Sequence, residues 1–351
     1  MTTPATGTVY PGKIVYTRAE QNSADLYVMT ADRQYQTRLT NTPGASFQPQ
    51  WSPDGRSIAY LHYEADTSLT NLWLVDAADG SEPRRLTANG LKTAESVVWS
   101  PDSRFLLYQD VQAGSTSQDV YRLAVTTGDV TNLTAPSAQR DGSPAPSPDN
   151  GLIAFASDRP TSVTEALTST VTGAMTGTAA IWVMGVDGAD ATSLTAQTPG
   201  WSDSKPAWSP DGRQIAFYRA QIGGATDAPG GPAGLWTINA DGSEARLRVD
   251  FPEWQASDPP VWSPDGQWIA FDYGNQDDTD VWVIAVQADT PLQISDLPGG
   301  EKYISWSPDS KAFIFTNFQP NALALYIAQP DGAAPQRLIE GAASGFGDWS
   351  P

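Results

Sequence analysis

A five-residue motif that recurs along the chain constrains its fold more than any other feature. It reads Trp51-Ser52-Pro53-Asp54-Gly55 at its first appearance, and a variant, Pro146-Ser147-Pro148-Asp149-Asn150, has Pro in place of the Trp. Pro presets φ for a tight turn, Ser and Asp bond nearby backbone N–H groups, and Gly adopts a left-handed conformation. The motif therefore predicts a repeated turn between antiparallel strands. The other copies begin at Trp99, Trp208, Trp262 and Trp306, and the chain stops at Trp349-Ser350-Pro351.

Three further strands can be traced around each turn: an apolar run such as Ile58-Ala59-Tyr60, a strand with a central aromatic such as Trp73, and an outer strand such as Arg85-Leu86-Thr87. Four antiparallel strands form one blade of a β-propeller. Six complete units follow one another, and the N-terminal part supplies a seventh that lacks its first strand. Gly345 to Pro351 supplies that strand. The sequence predicts an all-β, seven-bladed propeller over residues 11–351, its first blade closed jointly by both termini, after a linker-like segment 1–10.

The repeat resembles that of the TolB-type (WD-repeat-like) β-propeller family, which has W-S-P-D-G, then I-A-F, then a central aromatic, then R-L-T. The resemblance covers residues 11–351. The same blade type occurs in TolB, in the propeller domains of prolyl oligopeptidase and tricorn-type peptidases, and in oligogalacturonate lyases. It implies a propeller fold and a periplasmic or extracellular bacterial location. The unit count of seven, against six in TolB, argues against assigning TolB's partner to this chain directly.

Composition excludes several classes of function. The 351 residues include no Cys and one His, and the formal net charge is −20. A strongly negative field repels phosphate backbones, so nucleic-acid binding is not expected. No apolar run is long enough to cross a bilayer, which predicts no membrane insertion. We expect a monomer, and we expect His62 to lie at the surface or at a blade edge.

Catalytic patterns are missing from the sequence. It has no G-x-S-x-G nucleophile elbow and no phosphate-binding glycine loop. A lone His cannot supply the His cluster that the resemblance associates with the lyases. We therefore expect a non-catalytic binding platform without a cofactor, Ca²⁺ being the one candidate ion. The alternatives are a divalent-cation-dependent lyase or hydrolase that uses carboxylates at the channel mouth, and a sensor or gating domain of a larger kinase, peptidase or lipoprotein.

The predicted ligand site lies on the propeller face that carries the two longest loops, residues 159–180 and 220–234. Acidic residues precede the turn Trp where the inner strands enter the channel, and four aromatic residues lie near them. The acids favour a cation, an amine or a basic peptide, or else form only a solvated rim. Aromatic residues beside acids favour a protein, peptide or glycan ligand, or pack over a seam between blades. The predicted site residues are Glu95, Asp141, Asp203, Asp258, Glu301, Trp201, Trp254, Tyr303 and Phe346.

Overall fold

A computed structural model of the chain describes residues 10–20, 23–81, 83–92, 95–111, 117–135, 139–161, 178–196, 198, 200–221, 233–251, 258–275, 278–319, 322–339 and 344–351. Regular secondary structure in these ranges is entirely β. Residues 1–9 and most of the two long loops fall outside them.

The described residues form strands β1 to β28 in chain order. Their bounds are Lys13–Glu20, Ser23–Thr30, Gln36–Arg38, Gly44–Trp51, Ser57–Glu64, Leu69–Asp76, Arg84–Arg85, Glu95–Trp99, Phe105–Val111, Gln118–Ala124, Val130–Asn132, Asp141–Pro146, Leu152–Ser157, Ala180–Gly185, Thr192–Ser193, Trp201–Trp208, Gln214–Gln221, Ala233–Asn239, Arg246–Phe251, Val261–Trp262, Trp268–Asn275, Asp278–Ala285, Leu292–Gln293, Gly300–Trp306, Phe313–Gln319, Ala322–Ala328, Gln336–Arg337 and Ser344–Trp349.

The strands are arranged as antiparallel propeller blades, but the predicted number of seven is wrong. Five blades are separate four-stranded sheets within the described ranges. The remaining eight strands form one sheet in the order β28-β1-β2-β4-β5-β6-β7, with β3 paired to β2. A parallel pair between Ala24 and Ala45 joins β2 to β4. These small side chains let the two backbones approach, whereas counting turn motifs reveals only how many turns there are.

The hydrophobic core lies between neighbouring sheets. The apolar run after each turn is buried on both faces, so side chains of one sheet pack against those of the next. Leu107 and Val120 of one blade, for example, pack with Ile153 and Phe155 of the following blade. All four are at most 2% exposed. The continuous apolar runs of the sequence are therefore explained by burial on both faces of each strand.

The turn motif adopts the predicted geometry. The Ser52 hydroxyl donates to Asp54 Oδ1 over 2.6 Å and accepts the Ser57 N–H over 2.9 Å. The same Ser-to-Asp bond recurs in the other five complete copies. The fifth residue has φ between 58° and 70° in all six, including Ser103, Asn150 and Ser310. These three residues thus occupy the left-handed conformation, which Asn150 tolerates and which strains Ser103 and Ser310 mildly.

Tryptophans of the motif connect adjacent blades. At four seams the indole N–H donates to the backbone carbonyl of the residue that precedes the motif in the previous blade. The N···O distances are 3.1–3.2 Å for the pairs Trp99 to Gln50, Trp208 to Ala145, Trp262 to Ala207 and Trp306 to Val261. The motif is therefore a joint between sheets as well as a turn within one.

The end of the chain pairs with its beginning. Strand β28 is antiparallel to β1, with Ile14 opposite Trp349, and it packs between β4 and β24. The Ser350 hydroxyl accepts the Lys13 N–H over 2.8 Å, as Ser52 does for Ser57. The predicted use of both ends of the chain in one set of paired strands is present in the structure. This pairing closes the ring of sheets around a central channel.

Candidate functional site

Five of the inner strands have an unusual residue three positions before the motif. Each of the five has a positive φ of 49° to 58° without being glycine. Each lies where the strand register shifts against its neighbour, which is a β-bulge. A bulge bends the strand and redirects one side chain. The five residues are Gln48, Ser143, Lys205, Tyr303 and Phe346.

Three of these strands bring an aromatic cluster together at one end of the channel. The rings of Tyr303 and Phe346 meet edge-to-face with centroids 4.8 Å apart. Phe318 lies 5.8 Å from both rings, and Phe47 lies 6.4 Å from Phe346. The Gln48 amide donates to the Tyr303 hydroxyl over 3.1 Å, which links β4 to β24 past β28. Because all four rings are only partly buried, they form an accessible apolar surface.

Asp258 lies next to this cluster, just before the first strand of the blade that precedes Tyr303 in the chain. Its Oδ2 accepts the Tyr303 N–H over 2.7 Å, and its own N–H donates to Asp272 Oδ1 over 3.1 Å. Burial, reinforced by the negative charge of Asp272, raises the pKa of Asp258 to about 6, while Lys205 and Lys302 act in the opposite direction. Lys205 and Lys302 therefore both favour the ionised form of this carboxyl group.

Two other predicted acids are engaged in ion pairs. The carboxylate of Asp203 accepts two hydrogen bonds from Arg219, at 2.6 and 2.7 Å. Asp141 accepts one from Arg159 at 2.9 Å. Both acids are at most 2% exposed. A bidentate guanidinium bond of this kind fixes the carboxylate and neutralises its charge.

Glu301 is fully buried. Its carboxyl accepts a hydrogen bond from the Ser295 hydroxyl at 3.0 Å and another from the Asn317 amide. Burial raises its pKa to about 8 against the lowering effect of these bonds, and the nearby Asp280 raises it further. Glu301 is therefore largely protonated at neutral pH, which is unsuitable for holding a cation.

The remaining predicted residues are placed as follows. Glu95 lies at the start of β8, opposite Gln109, and Trp201 begins β16, where it is partly buried. Trp254 lies outside the described residues, as do residues 162–177 and 222–232 of the long loops. The structure thus brings Tyr303, Phe346 and Asp258 together, whereas Asp141, Asp203 and Glu301 are bonded within their own parts of the fold.

The expectation for His62 was wrong. It is 1% exposed, and its Nδ1 lies 3.0 Å from the Ser46 hydroxyl. The His62 ring also meets Trp73 edge-to-face at 5.4 Å. Burial lowers its pKa, so the ring is neutral. Its place at the end of a strand indicated an exposed edge, but the neighbouring strands cover it.

Sequence reasoning missed Gln48 and Phe318. A signal for Gln48 was available, because aligning the inner strands on their motif Trp places it in register with Tyr303 and Phe346. Phe318 gave no such signal, since it lies just beyond the apolar run Phe313-Ile314-Phe315 and enters the cluster through the strand pairing of Gly300 with Phe318.

Neither a metal-binding cluster nor a membrane-spanning helix is present in the described part of the chain. No group of three or more His, Cys, Asp or Glu side chains there is arranged to hold a metal ion. No helix in the same ranges is long and apolar enough to cross a membrane.

The blade architecture and the repeated turn motif define a β-propeller. The family model described as TolB beta propeller domain matches residues 11–174. The resemblance stated from the sequence is confirmed.

Curated relatives share segments of the chain. It is 33% identical over 84 residues to the Tol-Pal system protein TolB of Rhizorhabdus wittichii, covering 24% of this chain and 16% of that protein. It is 24% identical over 116 residues to the uncharacterized peptidase YuxL of Bacillus subtilis, covering 33% and 17%. The matched segments span less than two thirds of these relatives.

Solved structures show the same fold at low identity. TolB from Acinetobacter baumannii is 16% identical with a TM-score of 0.58, covering 98% of this chain and 68% of that one. The oligogalacturonate lyase of Vibrio parahaemolyticus is 14% identical with a TM-score of 0.60, covering 96% and 87%. A puromycin-hydrolyzing peptidase of Mycobacterium tuberculosis is 15% identical with a TM-score of 0.61, covering 95% and 56%. The fold is thus shared by two enzymes and by a TolB protein.

Proposed function

We propose that this chain is a non-catalytic binding protein that recognises a polypeptide through the aromatic cluster at the channel mouth. The observation that carries the proposal is the convergence of Phe47, Tyr303, Phe318 and Phe346 from different strands into one partly exposed apolar surface. Aromatic side chains in such positions dominate the affinity of protein interfaces.

The backbone at the site supports this proposal. Tyr303 and Phe346 hold φ values of 58° and 53°, which bulky residues rarely adopt. Strain of this kind costs about 1–3 kcal/mol and is concentrated at functional sites. Ser143 shows that the same backbone position accepts a small polar residue, so the fold does not require aromatic rings there.

The buried acids favour a polypeptide over a cation. Asp203 is paired with Arg219, and Glu301 is hydrogen-bonded and largely protonated, so neither offers a free charge. The edge-to-face contacts leave ring edges and gaps between rings, which suit apolar side chains of a peptide better than the flat face of a sugar. The proposal includes no cofactor.

The setting we propose is a monomer outside the cytoplasm. It is supported by the likeness to TolB proteins, one of which is described as a component of the Tol-Pal system. The likeness to a lyase and a peptidase concerns the fold, which hosts unrelated functions.

The proposal can be tested with a phage-displayed peptide library selected against the full chain, with Ca²⁺ or with EDTA. Peptides should be enriched equally in both conditions and should lose at least tenfold in affinity for Tyr303→Asn and Phe346→Asn. Asn tolerates positive φ, so these variants remove the rings without adding backbone strain. The matched control is Tyr35→Asn, since Tyr35 is 44% exposed and lies in the turn between β2 and β3. Enrichment that needs Ca²⁺, or that both ring variants retain, would refute the proposal.

A further inference from the structure

The blade whose motif begins with Pro146 lacks the indole that the other copies have. Five motif tryptophans are buried, with exposures between 4% and 8%. Trp208 in the blade that follows Pro146 is only partly buried. The blade that lacks a motif Trp is therefore followed by the one whose motif Trp is more exposed than the others.

A cavity of about 510 Å³ is lined by the inner strands and turns of five successive blades, from Pro53 to Pro259, and the seam at Pro146 lies at its middle. Prolines and the two tryptophans Trp99 and Trp208 make up most of its lining, together with Val98 and Pro146. Pockets of a few hundred Å³ with mainly apolar walls are typical of ligand sites. This cavity differs from the aromatic cluster in both position and lining residues.

The other seams show which group fits there. At four of them an indole N–H donates to the carbonyl of the residue before the preceding motif. The equivalent acceptor at this seam is the backbone carbonyl of Val98, and Val98 is one of the residues that line the cavity. Pro146 has no N–H, in its ring or in its backbone, so it cannot replace that donor.

The turn that contains Asp149 differs in charge from three neighbouring turns. In three nearby turns the motif Asp is followed two residues later by an arginine, as in Asp54 and Arg56, Asp102 and Arg104, or Asp211 and Arg213. Asp149 is followed instead by Gly151; its side chain is exposed, and the neighbouring Pro148 lines the cavity. Its carboxylate is ionised, since hydrogen bonds from Ser147 and Gly151 lower its pKa. The turn beside the cavity therefore presents a negative charge without an arginine of its own.

We infer that this cavity binds the tryptophan side chain of a partner polypeptide that carries basic residues next to that tryptophan. The indole takes the place that the motif Trp occupies at the other seams and donates its N–H to the Val98 carbonyl. The flanking cation lies near Asp149. Tryptophan is enriched among the residues that anchor partners in such pockets.

The test uses a blocked Lys-Trp-Lys peptide with 5-fluorotryptophan, followed by ¹⁹F NMR on the full chain. Binding is expected to the parent and to Pro146→Ala, which leaves the cavity open. Pro146→Trp, which fills the cavity, is expected to lose at least tenfold in affinity. Phe346→Asn should bind normally, which separates this site from the channel-mouth cluster.

Two further peptides test the chemistry on the parent protein, independently of how the filled variant folds. A 1-methyltryptophan version lacks the donor and should bind about fivefold more weakly, the value of one hydrogen bond. A Glu-Trp-Glu version should bind more weakly at low salt. No binding to the parent at millimolar concentration, undiminished binding to a folded Pro146→Trp variant, or equal binding of the methylated peptide would each overturn the inference.

Discussion

Among single residues, Glu301 shows two opposing influences on one carboxyl group. Burial raises its pKa to about 8, while hydrogen bonds from Asn317 and Ser295 lower it. An acid whose pKa is higher in the folded state than in the unfolded state stabilises the fold fully below the unfolded value. That contribution is lost as the pH rises through the folded value. For Glu301 the loss extends from about pH 4.5 to about pH 8.

Glu301→Gln should therefore flatten the pH dependence of stability. The amide keeps the shape of the side chain but cannot ionise, so the variant should gain on the order of 4 kcal/mol relative to the parent between pH 5 and pH 9. Thermal unfolding at both pH values measures this difference. A parent protein whose melting temperature falls no faster than that of the variant would contradict it.

Asp203→Asn is the matched control for this prediction. Asp203 is as buried as Glu301 but accepts two hydrogen bonds from Arg219. Its replacement leaves a mostly buried guanidinium without its partner, which typically costs about 3–5 kcal/mol. This variant should be destabilised at pH 5 and at pH 9 alike.

At the scale of elements, the fifth residue of the turn motif can have a strained backbone and can also bond the turn of the neighbouring blade. Ser103 has a left-handed backbone, and its hydroxyl accepts a hydrogen bond from the Asp54 N–H of the preceding blade over 3.0 Å. Ser310 does the same for Asp265, and Asn150 for Asp102. A non-glycine residue at this position therefore strains its own turn and links it to the neighbouring one.

Two glycines in left-handed conformations should differ in their tolerance of a side chain. A Cβ at Gly55 would meet nothing within 4 Å, whereas one at Gly12 would lie 2.8 Å from Ser350 Oγ and 3.1 Å from Trp349 Nε1. Gly55→Ala should thus cost about 1–2 kcal/mol from backbone strain alone. Gly12→Ala should cost at least about 2 kcal/mol more, because it also pushes β28 away from the start of β1. Urea unfolding of both variants measures the difference, and equal midpoints would disprove it.

The elements were more predictable from the sequence than the site was. The turn, the apolar runs and the pairing of β28 with β1 follow from local chemistry repeated along the chain. The joining of β2 to β4 through Ala24 and Ala45 leaves no mark in the repeat, since it depends on how closely two backbones approach. In the site, Tyr303 and Phe346 were found by their position near the channel. The partners of Asp141 and Asp203 were not, because Arg159 and Arg219 follow them by 18 and 16 residues and meet them only through strand pairing.

In the whole molecule, ring closure depends on one short strand. Asp348 of β28 accepts the Trp51 N–H from one side and the Ser305 hydroxyl from the other, each over 2.7 Å. Burial raises the pKa of Asp348 to about 6, so this link stabilises the fold more below about pH 6 than above it. The closing seams also depart from the regular pattern. The Trp349 indole donates to Pro11, and the buried Trp51 indole N–H has no acceptor among the described residues.

Deletion of residues 345–351 should therefore destabilise the entire ring. It exposes the edge of β1, removes the bonds of Asp348 to two neighbouring strands, and uncovers Ile14 and Tyr16, which are fully buried in the parent. We expect the melting temperature to fall by roughly 10 °C or more. A synthetic peptide of residues 344–351 should restore much of the loss by adding the strand back to the open edge. The parent peptide should restore less at pH 8 than at pH 5, because its buried carboxyl group then ionises, whereas the same peptide with its Asp348 replaced by Asn should restore about as much at both pH values. A truncated chain that melts within a degree or two of the parent would show that β28 does not close the ring.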